Sequence, residues 1–266
     1  MNSHSQFYWD HVSRDYQLET HISCDEFHYG PLLSGDREYR LLPSDVAGLV
    51  CLEAGAGAGQ NSIFLTSCGA RCTALDISGR QLHHGRRLAE KRGASVHWVQ
   101  GNLDALPFAD SPVFDLIHSS YALPFTQQPE CVVAKLARLL KPGGRFILST
   151  AHPLSTAEWT VTGDGDEEED GVFLRDYFSP ALDTRDEGDG AAESCRPAPL
   201  SDVFRWLTRA GLRVDALIEP RPAPEALTVS PGSPPLVPYW SEGWLDIRDE
   251  LERVPVVAIF AAHKPD

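Results

Sequence analysis

The residues best placed to do chemistry lie at 53–59, Glu-Ala-Gly-Ala-Gly-Ala-Gly, where an apolar run gives way to an amphipathic one. Gly55 and Gly57 permit a tight turn and close approach of the backbone to a ligand, and the amides that open the following helix would face it. A bare strand-to-helix turn would use the same glycines. Two acids add to the signal. Asp76 closes the next apolar run, 21 residues after Gly55, where a carboxylate can accept hydrogen bonds from both hydroxyls of a ribose. Glu53 borders the loop; a carboxylate there repels phosphate and suits an ammonium group. The expected ligand is a nucleoside with a cationic tail. A dinucleotide is less well served, because the spacing is GxGxG without the final GxxG.

Such a loop works only when a sheet holds it. Between residues 47 and 151 short apolar runs alternate with amphipathic segments, which predicts an α/β sheet with crossover helices. Strands are expected at 48–53, 71–76, 96–100, 113–119 and 145–150, and helices at 58–67, 81–92 and 131–140, the last ended by Pro142-Gly143-Gly144. Parallel connections of this kind leave ligands at the carboxyl ends of the strands. After Pro153 the regularity stops. Residues 155–200 hold 13 acidic and three basic side chains, including GDGDEEEDG at 163–171, and are expected to form a solvated, partly disordered flap. Periodicity returns in a helix at 200–210, with Ser201 as an N-cap candidate and Gly211 as a C-cap, followed by strands at 212–218 and 254–263. The link between those strands, within 220–250, reads as a proline-rich loop. At the front, residues 1–45 carry an aromatic amphipathic segment at 7–16 and precede a domain comprising 46–266.

Six segments in order, LEAGAGAGQ (52–60), LDIS (75–78), GNLDALPF (101–108), FDLIHSSYAL (114–123), LLKPGGRF (139–146) and VPVVAIFAAHKP (254–265), resemble the class I S-adenosylmethionine-dependent methyltransferases. The similarity runs from about residue 48 to the end. It implies a Rossmann-like seven-stranded sheet of order 3-2-1-4-5-7-6 with the last strand antiparallel, and S-adenosylmethionine as cofactor. It also implies that Gly55 and Gly57 hold the methionine portion, that Asp76 holds the ribose, and that Asn102 and Leu103 contact adenine. Many relatives carry Asp where this chain has Asn102; an Asn carbonyl can still accept from the adenine amino group, with altered affinity expected. Ile77 either covers one adenine face or belongs to the core.

Methyl transfer from a sulfonium is an in-line displacement with a neutral leaving group. Positioning therefore supplies much of the catalysis, and a base is needed only when the nucleophile loses a proton as it attacks. His118 ends the fourth expected strand, where this fold exposes the donor methyl, so it is a candidate for both cofactor binding and catalysis; the alternative is a histidine packed beneath the cofactor. Tyr121 follows it. His152 follows the fifth strand on the same rim, or merely caps the strand end. His28 and Tyr29 belong to the N-terminal segment, residues 1–45, which the resemblance implies is a helical lid folded over the cofactor, with Phe7, Tyr8, Trp9 and Tyr16 as its packing surface; a hydrophobic staple explains the same pair. Tyr239, Trp240 and Trp244, with Trp159, Tyr177 and Phe178 of the acidic segment, either wall an aromatic acceptor pocket or anchor long loops.

Composition narrows the class. With 38 acidic against 23 basic side chains in 266 residues, the chain carries a formal charge of −15, which argues against a nucleic-acid partner. No stretch of about 18 apolar residues suits a membrane span, and the start lacks a basic and then apolar leader, so a soluble cytoplasmic protein, monomeric or homodimeric, is expected. Six scattered cysteines suit neither a disulfide scaffold nor a zinc site, and no metal is expected. The reading that results is a methyltransferase acting on an O, N, S or C nucleophile of a small molecule, a specialised metabolite. Its rivals are a binding module that keeps the fold without turnover, and an NAD-dependent oxidoreductase, disfavoured because no Tyr-x-x-x-Lys pair occurs. The acidic flap is expected to bias the site mouth against anionic acceptors.

Overall fold

Near-continuous apolar runs such as Leu-Ile at 116–117 and Ile-Leu at 147–148 mark strands buried on both faces, as a parallel sheet covered by helices requires. The computed structural model describes residues 3–163, 169–187, 190–227, 237–240 and 251–266. Helix α1 (Ser3–Glu19) and a short α2 (Asp36–Tyr39) precede β1 (Val50–Ala54), α3 (Gln60–Ser67), β2 (Arg71–Asp76), α4 (Gly79–Arg92), β3 (His97–Gln100) and β4 (Phe114–Ser120). There follow α5 (Pro129–Leu139), β5 (Leu140–Ala151), and four short strands β6 (Glu158–Thr162), β7 (Glu169–Phe173), β8 (Asp183–Asp186) and β9 (Ala192–Cys195). Helix α6 (Leu200–Arg209), β10 (Arg213–Ile218), α7 (Pro224–Leu227) and β11 (Val257–His263) complete the chain.

The main sheet has seven strands in the order β10-β11-β5-β4-β1-β2-β3. Only β11 runs against its neighbours, pairing antiparallel with both β10 and β5. This is the sheet that the sequence predicts, with its last strand reversed. Alternate residues feed two cores. Leu52, Ile117, Phe146, Leu148 and Phe260 face α5 and α6, through Val133, Leu136, Val203 and Leu207. Cys51, Leu116, Ile147 and Ile259 face the other side, where Phe27, Tyr29, Leu33 and Leu41 pack with α3 through Leu65. The segment between α1 and β1 is therefore part of the core. This arrangement brings the carboxyl ends of β1, β2 and β4 to one edge of the sheet, and α1 packs there against α4 and β9.

Two expectations are corrected. Strand β5 begins at Leu140, because Leu140 is already extended and pairs with Phe114; Pro142, Gly143 and Gly144 make an irregularity in the β4–β5 register instead of a terminating turn. The segment after Pro153 is regular, with β6–β7 and β8–β9 forming two antiparallel hairpins. Each hairpin is only two strands wide, so its residues show no sustained burial period to read. Residues 164–168 of the acidic run, residues 228–236 and 241–250 of the proline-rich link with Trp244, and the side chain of Trp159 lie outside the described residues.

Candidate cofactor and acceptor site

The loop after β1 is sewn to the end of β2. The amides of Gly55 and Ala56 both donate to the Leu75 carbonyl at 2.9 Å, and the Gly57 amide donates to Asp76 Oδ2 at 2.7 Å. Asp76 Oδ1 takes the Ser78 amide at 2.8 Å. Gly55 and Gly57 both sit at positive φ, +78° and +56°, a region that costs an L-residue about 1–2 kcal/mol. Their reasons differ. A Cβ on Gly55 would lie 2.1 Å from the Ala122 Cβ, so β4's following turn excludes it. A Cβ on Gly57 would meet nothing within 4 Å, because that side of the loop opens into a cavity.

The cavity measures about 450 Å³ and lies over the carboxyl ends of β1, β2 and β4. That size is in the range of small-molecule sites. Glu53, Gly55, Gly57, Asp76, Ile77, Asn102, Leu103 and His28 all line it. Glu53 is buried, its Oε2 accepting the Ser62 amide at 2.9 Å, and burial pushes its pKa up to about 8. Burial likewise raises Asp76 to about 6, against the pull of the Ser78 and Gly57 amides. Among the described residues neither acid has a Lys or Arg partner. A buried Glu53 and a half-buried Asp76, neither paired with a cation, face one cavity and favour a ligand that brings donors or positive charge. Ile77 borders the cavity and is absent from the core clusters. Asn102 also faces it, but its Oδ1 accepts the Asp104 amide at 2.9 Å, so one lone pair is committed to the turn.

His28 is held by its backbone, since Asn61 accepts from the His28 amide at 2.9 Å and donates to the His28 carbonyl at 3.0 Å. Burial lowers the His28 pKa to about 4, so the imidazole facing the cavity is neutral at pH 7. The other three acceptor-side candidates do not line the cavity. His118 shares a strand face with Ser120, which does; two residues short of the edge, it is sealed beneath the site with its ring 4.9 Å from Phe27. Tyr29 is fully buried and donates its hydroxyl to Asp36 Oδ1. His152 takes the Leu154 amide at Nδ1 (3.0 Å), which leaves Nε2 to donate to Glu219 Oε1 at 2.9 Å. It caps the turn after β5. A position at a strand end, or in a segment beside the site, does not settle on which side of the rim a side chain lies, and these three point into packing.

Further residues line or brace the cavity, and among them Gln17, Gln81 and Arg185 carry no sequence signal. Gln60 donates to Gln17 Oε1 at 2.8 Å and Gln17 donates to Gln81 Oε1 at 2.9 Å, an amide chain that ties α1 to α3 and α4. Asp10 of α1 accepts from the Ser78 hydroxyl at 2.6 Å. The Tyr16 and Tyr239 hydroxyls meet at 2.8 Å above the site, and Arg185 enters from β8. Of the remaining aromatic candidates, Trp240 is buried in a satellite cluster with Leu32 and Ala226, while Phe178 is exposed. Residues far apart in sequence, with ordinary identities, can be grouped only by the fold.

A doubly wound sheet with a glycine loop and two acids at its switch-point edge defines a nucleoside-binding α/β domain. Residues 52–148 match the family model described as a methyltransferase domain. A malonyl-[acyl-carrier protein] O-methyltransferase of Pectobacterium atrosepticum is 32% identical over 125 residues, 47% of each chain. A demethylmenaquinone methyltransferase of Renibacterium salmoninarum is 33% identical over 122 residues, 44% of this chain and 49% of that one. The chain thus spans about half the length of these curated relatives. In fold it is similar to an S-adenosylmethionine-dependent methyltransferase from Mesorhizobium loti, with a TM-score of 0.62 at 22% identity over 85% of this chain and 95% of that one. Residues 52–148 are thus similar to a methyltransferase domain and the fold to that of an S-adenosylmethionine-dependent methyltransferase, which makes S-adenosylmethionine the cofactor against which the site is tested. The donor set fits that cofactor: Asp76 for the ribose hydroxyls, Glu53 for the ammonium group, and the open side of Gly57 for close approach.

Proposed function

We propose that this protein transfers a methyl group from S-adenosylmethionine to an O, N, S or C nucleophile of a small molecule, and that this molecule is a specialised metabolite. The observation that carries the reading is the single cavity in which the unpaired Glu53 and Asp76 carboxylates, the Gly57 backbone and the neutral His28 imidazole face one space. When bound, S-adenosylmethionine supplies an electrophilic methyl group whose transfer leaves a neutral thioether. Asp76 accepts from hydroxyls and Glu53 faces positive charge, so the two acids orient the ligand along β1 and β2. His28, uncharged and fixed through Asn61, can take up a proton from an acceptor hydroxyl or amine that must lose one. Helix α1 and the Tyr16–Tyr239 contact cover the site and limit water. Positioning and water exclusion are the contributions this reaction most needs.

The restriction to a small acceptor rests on the cavity's size and on its cover by α1 and β8. Calorimetry with S-adenosylhomocysteine tests the cofactor half of the proposal. Wild type is expected to bind, and Asp76→Ala to weaken binding by on the order of tenfold or more, the scale of hydrogen bonds to a charged group. Undiminished affinity in Asp76→Ala would overturn the assignment. Release of S-adenosylhomocysteine from S-adenosylmethionine across a panel of specialised metabolites tests the other half; turnover confined to quinone or acyl-carrier substrates would redirect it to primary metabolism.

A further inference from the structure

Arg185 is the sole Lys or Arg among the described residues lining the cavity, whose acids are Glu53, Asp76 and Asp104. It comes from the segment that carries most of the chain's surplus negative charge, yet it turns inward. Its guanidinium carbon sits over the Phe125 ring, 5.1 Å from the centroid, a cation–π contact that orients the group without using its N–H donors. Among the described residues its one ion pair is loose, Nε to Asp183 Oδ2 at 3.5 Å, and the Asp183 side chain is 46% exposed. Glu193, its cross-strand neighbour in β8–β9, instead accepts the Ser194 amide at 2.9 Å. Among the described residues no hydrogen bond engages either terminal nitrogen of Arg185. Tyr16 and Tyr121, also on the cavity wall, lie close enough to interact with its charge.

A planar, permanently charged fork with free donors in a largely enclosed space matches a carboxylate. Resting on the methyl-transfer reading above, we infer that Arg185 anchors a carboxylate of the methyl acceptor, so that the substrate is a small monoanionic acid whose apolar body lies against Trp9, Phe125 and Tyr121. One cation facing three lining acids favours a single negative charge over a phosphate dianion. The inference reverses the bias expected from the net charge of the acidic segment. What matters at the site is the one side chain that reaches the cavity.

Matched phenols that differ only at the anchor test this. Binding of 4-hydroxybenzoate and 4-hydroxybenzamide, and of 4-hydroxycinnamate and its amide, is measured by calorimetry on the protein saturated with S-adenosylhomocysteine. Each acid is expected to bind at least tenfold more tightly than its amide. Arg185→Gln should bring the ratio to within about twofold while S-adenosylhomocysteine affinity holds within twofold. Asp183→Asn, which frees the guanidinium, should increase the preference for the acid and keeps the proposal testable if Arg185→Gln folds poorly. Equal binding of acids and amides by wild type, no detectable acid binding, or a preference that survives Arg185→Gln would each overturn it. A loss that appeared in S-adenosylhomocysteine affinity would overturn it too and assign Arg185 to the cofactor. Failure of wild type to bind S-adenosylhomocysteine counts against the methyl-transfer reading alone, since the acid–amide comparison on the free protein would still report on Arg185.

Discussion

In the proposed function Glu53 would serve the site at a cost to the fold. Its folded pKa of about 8 lies above the ordinary 4.5, because burial disfavours the charged form. In the free protein the stability this protonated group contributes is complete below about 4.5 and is lost as pH rises through 8. A ligand that brings positive charge prefers the ionised form, so binding releases a proton in that window. The affinity for S-adenosylhomocysteine should therefore rise from pH 6 to pH 8 and level off above. Glu53→Gln keeps an oxygen for the Ser62 amide and cannot ionise. It is expected to raise the Tm of the free protein at pH 8, to weaken cofactor binding by tenfold or more, and to flatten that pH dependence, all accessible by calorimetry.

At the scale of elements, the strand–loop–helix unit from β1 to α3 and the N-terminal helix carry separable loads. Gly55 and Gly57 have the same backbone handedness but different surroundings, and their alanine variants should part accordingly. Gly55→Ala must push a methyl group into Ala122 and is expected to lower unfolding free energy by more than 2 kcal/mol, the sum of about 1–2 kcal/mol of backbone strain and an overpacking cost of about 1–3 kcal/mol. Gly57→Ala carries only the strain; its methyl enters the cavity, so binding should suffer more than stability. Urea titration and calorimetry on the two variants separate these outcomes. Helix α1 is latched by the Gln60–Gln17–Gln81 chain. Gln17→Ala strands two buried amide groups at about 1–3 kcal/mol and should speed hydrogen exchange in α1 while leaving β4 and β5 protected.

For the whole molecule, the site is assembled from segments that share no local structure: α1, the β1 loop, the turn after β4, β8 and Tyr239. A ligand that touches all of them binds the folded chain alone, and its binding energy adds to the stability of every segment at once. At 100 times its Kd, S-adenosylhomocysteine should add about 2.7 kcal/mol and raise Tm by several degrees, with protection of α1 from limited proteolysis. Stabilisation without protection of α1 would show that the helix is no part of the binding unit. Among the described residues no helix is long and apolar enough to cross a membrane.

The main sheet and the loop-and-acid end of its cavity were legible in the chain because both rest on short-range rules. Alternating buried runs predict the seven strands, and a glycine loop with an acid closing the next strand can be read from spacing alone. The strand limits moved by a few residues, most at Leu140, where pairing with Phe114 outweighs the turn tendency of Pro142 and Gly143. The acceptor end was not legible. His118, Tyr29 and His152 have the right chemistry, but whether such a side chain enters the cavity or the packing depends on its exact place, two residues along β4 for His118, and on which neighbour it meets, Asp36 for Tyr29 and Glu219 for His152. Tyr239 was among the aromatic candidates, but Arg185 and Gln17 have no motif, and long-range packing alone brings them over the strand ends. Local geometry specifies where a cofactor of this kind can bind; what would be methylated is decided by the residues that tertiary structure lays over it.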